Sequence, residues 1–188
     1  MDLKLNNKKV LITGASRGIG LSIAKEFLQE KAKVCIVSRG SESLFESEQE
    51  LQKNYGMENV FASQCDCTKV ELLNNLRKEI ENKWGCLDIV VANVGDGCSV
   101  SDSLPNNDDW QRTWDSNFEP TLQTARTFLP MLEKSCGVLL FISSIAGIEA
   151  FGAPTDYSTA KTAVIALAKN IARKLAPIGR VNVIAPGD

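Results

Sequence analysis

The sequence predicts an α/β fold in which a doubly wound parallel sheet lies between two layers of helices. Two observations carry this. Short β-branched runs alternate along the chain with longer stretches of helical periodicity, and those runs are apolar almost throughout. Strands apolar on both sides must be covered on both faces, as parallel strands joined by crossover helices are. With 188 residues the chain is the size of one domain, expected to span 1–188. A core of that size needs no disulfide or metal to hold it.

Taken in order, "KKVLIT" (8–13), "KVCIVS" (33–38), "NVFASQ" (59–64), "LDIVVAN" (87–93), "GVLLFIS" (137–143) and "RVNVIA" (180–185) read as strands. Helical patterns fill the gaps near 18–30, 41–55, 69–84, 108–133 and 155–175. The acidic run "SESLFESEQE" sets Leu44 and Phe45 among charges, as a solvated helix face does. Trp110 and Trp114, four apart, read as packing residues on one helix face. No internal repeat, low-complexity segment or linker divides the chain.

Charge and composition exclude several classes. The 21 Lys and Arg against 23 Asp and Glu leave a net charge of -2, with none of the clustered basic excess that binds nucleic acid. No apolar run reaches the roughly 18 residues of a membrane span. The opening "MDLKLNNKKVLITG" enters a strand directly and lacks a secretory h-region, so a cytoplasmic protein is expected. There is no histidine, which rules out Ser-His-Asp and Cys-His catalysis and imidazole metal sites. The cysteines at 35, 65, 67, 86, 98 and 136 fall mostly in or beside apolar runs. Cys65 and Cys67 make C-x-C with no second pair to complete a zinc site, so buried reduced thiols are expected and no metal.

In a doubly wound sheet the ligand lies beyond the carboxyl ends of the strands, where strand order reverses. After the first strand comes "TGASRGIG", with Gly14, Gly18 and Gly20 spaced G-x-x-x-G-x-G and running into a helix. Glycines let the backbone turn tightly and approach a pyrophosphate, while the helix amino end offers free N–H groups. Ser16, Arg17 and Ile19 belong to the same expected dinucleotide site. No Gly-Lys-Ser/Thr follows, so this is not a P-loop. The second strand ends in Ser38 and Arg39, where an acid would read a ribose 2′-hydroxyl and an Arg accommodates a 2′-phosphate. With Arg17 able to reach the same phosphate, NADP(H) is favoured over NAD(H).

The remaining chemistry is in "PTDYSTAKTAVIALAKN" (154–170), which reads as helix. Tyr157 and Lys161 are four apart and so share a face. A cation a few ångströms from a phenol favours its ionised form, making the pair a proton donor usable near neutral pH. Hydride reaching a carbonyl carbon builds negative charge on its oxygen; a hydroxyl can stabilise that charge and a phenol can protonate it. Such chemistry needs neither histidine nor metal.

The set "TGASRGIG", "CDCT", "VANVG", "DSN", "ISSIAG", "YSTAK" and "APG" resembles the short-chain dehydrogenase/reductase family, in its 3-oxoacyl-carrier-protein-reductase-like form. It covers the chain from end to end in the family's order. The resemblance implies a Rossmann-type fold and assigns roles position by position. Tyr157 is the acid and base; Lys161 tunes it and holds the nicotinamide ribose. Ser144, thirteen residues before Tyr157, would hydrogen-bond the substrate oxygen, and Asn117 would support a proton-relay water. Asp66 would contact adenine, Asn93 and Gly95 the adenosine ribose side, and Pro186 and Gly187 the nicotinamide.

Alternatives stay open from the residues alone. Asp66 with Thr68 could cap the next helix, Asn93 could satisfy its own turn, and Ser143 offers as good a hydroxyl as Ser144 until spacing decides. "VANVG" departs from the family's double-Asn form through Ala92 and Val94. The family continues past the place where this sequence reaches "VIAPGD", through a substrate-covering segment and a last strand; a fragment of a longer enzyme is therefore expected. The expected function is NADP(H)-dependent interconversion of a small-molecule carbonyl and a secondary alcohol. Weighed against it are an NAD(H)-dependent member of the family, an epimerase or dehydratase, and a cofactor-binding scaffold without turnover. A homodimer or homotetramer is implied through the helices near 108–133 and 155–175.

Overall fold

The structure is a computed structural model, and it describes residues 3–97, 99–100, 102–149 and 152–187. Six strands among them form one sheet: β1 (Lys9–Thr13), β2 (Lys33–Ser38), β3 (Val60–Gln64), β4 (Ile89–Ala92), β5 (Val138–Ile142) and β6 (Arg180–Ile184). Their order is β3-β2-β1-β4-β5-β6, and every neighbouring pair is parallel. Strand order therefore reverses between β1 and β4, which places the expected cleft above that pair.

Alternate residues of β1 to β5 feed opposite cores, as the period of two requires. Leu11, Cys35, Val37, Val90 and Phe141 join one cluster, filled by Leu73, Ile80, Phe128 and Leu132 from the helices on that side. Val10, Ile12, Val34, Ile36 and Val91 join the other, against Ala24, Leu28, Leu44 and Leu51. The continuous apolar strands thus arise because β1 and β2 are covered on both faces. Each such fully buried Leu or Ile contributes about 1.5–3 kcal/mol over its exposed state.

The covering helices are α1 (Gly18–Gln29), α2 (Glu42–Tyr55), α3 (Val70–Trp84), α4 (Asn107–Asn117), α5 (Glu119–Ser135) and α6 (Thr155–Leu175). The acidic run on α2 is a solvated face: Leu44 and Leu51 are buried while Phe45 is exposed. Trp114 stacks at a tilt on Phe118, ring centroids 4.6 Å apart, a packing role as expected. No described helix is long and apolar enough to cross a membrane.

Two expectations need correction. The single helix near 108–133 is two helices, broken at Phe118. Pro120 has no N–H to give the Ser116 carbonyl, so the hydrogen-bond ladder cannot run through. The thiols are not uniformly buried either: Cys35, Cys65 and Cys67 are, Cys86 is half-buried and Cys136 is exposed. Cys136 caps α5 in the left-handed conformation, φ 54°, beyond the helix's last buried residue, Leu132. Cys98 lies outside the described residues.

Candidate active site

The carboxyl ends of the strands open on a cleft of about 540 Å³. One side is the turn between β1 and α1. Gly14 and Gly18 adopt φ of 65° and 57°, conformations that L side chains rarely enter. Gly20 has no room for a side chain, since a Cβ there would stand 2.4 Å from the Gly14 carbonyl oxygen and 2.6 Å from Asn93 Nδ2. Asn93 is the staple of this turn: its Nδ2 donates to the Thr13 and Gly14 carbonyls at 3.1 and 3.0 Å. Its backbone N–H donates to Thr13 Oγ1 at 3.1 Å. The alternative that Asn93 satisfies its own turn is therefore displaced by a long-range bond to β1.

Ser16 Oγ donates to Ser38 Oγ at 3.2 Å, tying the glycine turn to the end of β2. Arg17 and Arg39 line the cleft, both are exposed, and neither forms an ion pair with a described residue. Arg17 is the N-cap of α1, whose first turn holds no side-chain cap and no acid. Asp66 Oδ1 accepts from Thr68 N–H at 3.0 Å and Thr68 Oγ1 at 2.8 Å in the turn before α3, whose N-cap is Lys69 with no side-chain cap, so the pair does not cap that helix and Asp66 lines the cleft. Burial works against the charged form of Asp66, but those two bonds, with Arg39 and Lys69, hold its carboxyl below the usual range.

Across the cleft stand Tyr157 and Lys161, on the first turns of α6, with the Lys161 Nζ 5.7 Å from the Tyr157 ring centroid. Lys161 is only 4% exposed. Burial lowers its pKa from 10.5 to about 8, and Asp96 opposes that fall. Gly95 passes so close that a Cβ there would meet Nζ at 2.7 Å and Asn117 Oδ1 at 3.1 Å. Asn117 is fully buried; its Oδ1 accepts from the Asp96 N–H at 3.1 Å and its Nδ2 donates to the Thr113 carbonyl at 3.1 Å.

The two serines divide their work. Ser143 reaches the cleft, but its hydroxyl donates to the Lys161 carbonyl at 2.8 Å, joining β5 to α6. Ser144 is half-buried; its Oγ accepts from Ala146 N–H at 3.2 Å at the start of a 3-10 turn, Ile145–Gly147, which leaves its own O–H to donate. Ser144, Asn117, Pro186 and Gly187 stand outside the cleft wall, unlike Gly14, Ser16, Arg17, Gly18, Ile19, Gly20, Ser38, Arg39, Asp66, Asn93, Gly95, Tyr157 and Lys161. The Pro186 carbonyl accepts from Ile145 N–H at 2.8 Å and so fixes the Ser144 turn from behind.

The short chain dehydrogenase family profile matches residues 8–188. The chain belongs to that family. An oxidoreductase of Staphylococcus aureus is 35% identical over 185 residues, 97% of this chain and 78% of the relative. Among solved structures, an alcohol dehydrogenase from Thermococcus sibiricus complexed with 5-hydroxy-NADP superposes with a TM-score of 0.88 at 27% identity, covering 96% of this chain and 76% of that one. An NAD+-bound xylitol dehydrogenase does so with 0.91 at 26% identity, covering 98% and 71%. The family makes this chain an oxidoreductase with a nucleotide-binding Rossmann fold; the match reaches the family and not the 3-oxoacyl subtype.

Three wall residues, Asp96, Cys65 and Cys67, escaped the sequence reading, and so did Asp156 beside the wall. Asp96 accepts from Ser116 Oγ at 3.1 Å and acts on Lys161. Its signal was present, a carboxylate directly after the Gly95 turn. Cys65 and Cys67, which flank Asp66 and face the cleft, were set aside because they complete no metal motif. Asp156, buried beside Tyr157, accepts from Thr113 Oγ1 at 2.6 Å and ties α4 to α6.

Proposed function

We propose that the protein is an NADP(H)-dependent oxidoreductase interconverting a small carbonyl compound and a secondary alcohol, with Tyr157 as acid and base. The observation that carries this is the opening of the Tyr157–Lys161 pair into the same cleft as the Gly14–Gly20 turn. The residues present suit a dinucleotide. Gly20 leaves no space for a Cβ, Gly18 faces open space, and the amino end of α1 is uncapped by any side chain. Such an end binds a pyrophosphate through its N–H groups. Arg17 and Arg39, neither in a close ion pair with a described residue, suit a further dianion.

When bound, the nicotinamide supplies or accepts hydride at the substrate carbon. The chain's own residues handle the oxygen. Tyr157 gives its phenolic proton to the substrate oxygen as negative charge builds there, and takes it back from an alcohol in reverse. The Lys161 ammonium stabilises the charge left on the Tyr157 oxygen. Ser144, its hydroxyl oriented by Ala146 N–H, donates to the substrate oxygen. Asn117 holds the backbone of Asp96 beside Lys161 and so fixes the floor under the ammonium.

NAD(H) use is the second reading, favoured by the likeness to the NAD+-bound neighbour. Fluorescence titration with NADPH and NADH separates the two, followed by coenzyme oxidation with a panel of aldehydes and ketones. NADPH should bind tighter by about 10- to 100-fold, the value of one or two charge-assisted hydrogen bonds. The double change of Arg17 and Arg39 to Ala should erase that margin. A preference for NADH in the unaltered protein overturns the phosphate assignment, and tight NADPH binding with no turnover of any carbonyl overturns the enzymatic one.

A further inference from the structure

Tyr157 lies in the first turn of α6, which begins behind Pro154 with no side-chain cap. The early N–H groups of a helix have no carbonyl of their own helix to bond, and the Tyr157 N–H is one of them. Asp156 meets it: its Oδ1 accepts from the Tyr157 N–H at 2.8 Å. Its other oxygen, Oδ2, accepts from Thr113 Oγ1 on α4 at 2.6 Å. Asp156 and Thr113 are both buried, so neither looks to water for a partner.

Thr113 is tied in turn to the groups around the ammonium. Its carbonyl accepts from Asn117 Nδ2 at 3.1 Å, and Asn117 Oδ1 accepts from the Asp96 N–H at 3.1 Å. Asn117 Oδ1 and Lys161 Nζ flank a common point, since a Cβ on Gly95 would stand 3.1 Å from the one and 2.7 Å from the other. On the opposite side of Tyr157, Ser158 Oγ donates to the Ala146 carbonyl at 2.6 Å, in the turn that carries Ser144. The residues before and after Tyr157 are thus pinned in different directions, Asp156 towards Asn117 and Ser158 towards Ser144.

We propose that Asp156 is a positioning residue: by bridging the Tyr157 N–H and the Thr113 hydroxyl, it sets the phenol against Asn117 and Lys161 for proton transfer. This rests on Tyr157 being the acid and base. The bridge works through hydrogen bonds. Without the Thr113 hydroxyl, Oδ2 is left buried with no donor, which is costly for a polar group. Asp156 then turns towards another donor, and its hold on the Tyr157 N–H is lost. The turn is freed on the α4 side while Ser158 still holds the other, so the phenol shifts against Lys161. Proton transfer depends steeply on such placement. The glycine turn across the cleft keeps all its bonds.

The test compares the 188-residue chain with its Thr113→Val, Thr113→Ser, Asp156→Ala and Asp156→Asn variants. Single-turnover oxidation of the tighter-bound coenzyme is followed with whichever of benzaldehyde, cyclohexanone and ethyl acetoacetate the parent reduces fastest, beside coenzyme affinity. Val keeps the shape of Thr113 without its hydroxyl, so Thr113→Val should slow the turnover by about 10- to 100-fold, and Asp156→Ala by as much. Coenzyme affinity should stay within about threefold of the parent's in both. Thr113→Ser and Asp156→Asn can hydrogen-bond at both ends of the bridge and should keep the rate within about fivefold. Thr113→Val and Asp156→Ala together should cost no more than Asp156→Ala alone, because they break one bridge. If Asp156→Ala does not fold, Thr113→Val decides alone. A parental rate in Thr113→Val overturns the proposal, as does a loss in Asp156→Asn equal to that in Asp156→Ala, or single losses that multiply in the double variant. Equal losses of rate and coenzyme affinity that Thr113→Ser does not restore mark a structural role only and also overturn it. A parent no faster than Tyr157→Phe refutes the acid–base reading instead, and the positioning role falls with it.

Discussion

The two halves of the sheet meet the cleft on unequal terms. In β1 every residue after Lys9 is buried, and the glycine turn it carries is stapled by Asn93 and by the Ser16–Ser38 bond. In β6 no residue is buried: Val181 and Val183 are half-covered by one core, while Arg180, Asn182 and Ile184 face outward. Yet β6 holds the turn that carries Ser144, through Ser143 N–H to the Ile184 carbonyl and Ile145 N–H to the Pro186 carbonyl, both at 2.8 Å. The proposed binding side is thus built into the covered centre of the sheet. The proposed reacting side is hung partly on its barest strand. Damage to one should be separable from damage to the other.

The widest separation should come from Tyr157→Phe. It removes the proposed proton donor and nothing that holds the glycine turn, so carbonyl reduction should fall by about 10²–10⁴-fold, the usual worth of a general acid. NADPH affinity should stay within about threefold of the parent's if binding rests on the β1 side. Steady-state rates beside a fluorescence titration measure both, and equal losses in the two would show that the halves are not separable.

Lys161→Met probes the cost of the reacting side. Burial drops the Lys161 pKa from 10.5 to about 8, so the folded state sheds a proton that the unfolded chain keeps between those values. Stability of the parent is therefore lowest below about pH 8 and rises from there to about 10.5. The gap is worth roughly 3 kcal/mol, and the Met variant should be more stable by up to that amount at neutral pH, with the gain shrinking as pH rises. In the parent, kcat/KM for reduction should fall above about pH 8 as the ammonium is lost. Urea melts at several pH values check the first, and a pH–rate profile the second.

How much of this was legible depended on whether the cause was local. The strand "KVCIVS" and the helix 155–175 were readable to the residue, because apolar continuity and helical period act within each segment. The break at Phe118 was not read, although Pro120 announces it, because the buried face continues at helical spacing from Thr113 and Asn117 in α4 to Thr121, Thr124 and Phe128 in α5. Tyr157 and Lys161 could be paired from spacing alone. Asn93 could not be understood that way, since its partners lie 79 and 80 residues upstream. The same holds for Ser143, whose hydroxyl is claimed by a carbonyl 18 residues on. Spacing favoured Ser144, and a long-range bond supplies a physical reason why its neighbour is committed elsewhere.

Asn93→Ala tests the binding side directly. It removes two bonds from the Thr13 and Gly14 carbonyls, worth about 0.5–1.5 kcal/mol each. NADPH affinity should weaken by about 5- to 150-fold, with any substrate bound to the ternary complex turning over at a rate much closer to the parent's. A loss in kcat larger than the loss in affinity would place Asn93 on the reacting side instead.

The smallest effect belongs to Ile184→Ser, and it is the most discriminating for β6. Ile184 is 48% exposed, and its backbone, not its side chain, holds the Ser143 N–H. An exposed substitution away from caps and cavities shifts stability by no more than about 0.5 kcal/mol, so both NADPH binding and turnover should survive. If a further segment or a second copy covers this face, the same change would cost several-fold more, because the lost apolar area would then be buried area. Thermal melts of Ile184→Ser in the 188-residue chain and in any longer form of it decide whether the outward face of β6 is solvent or interface.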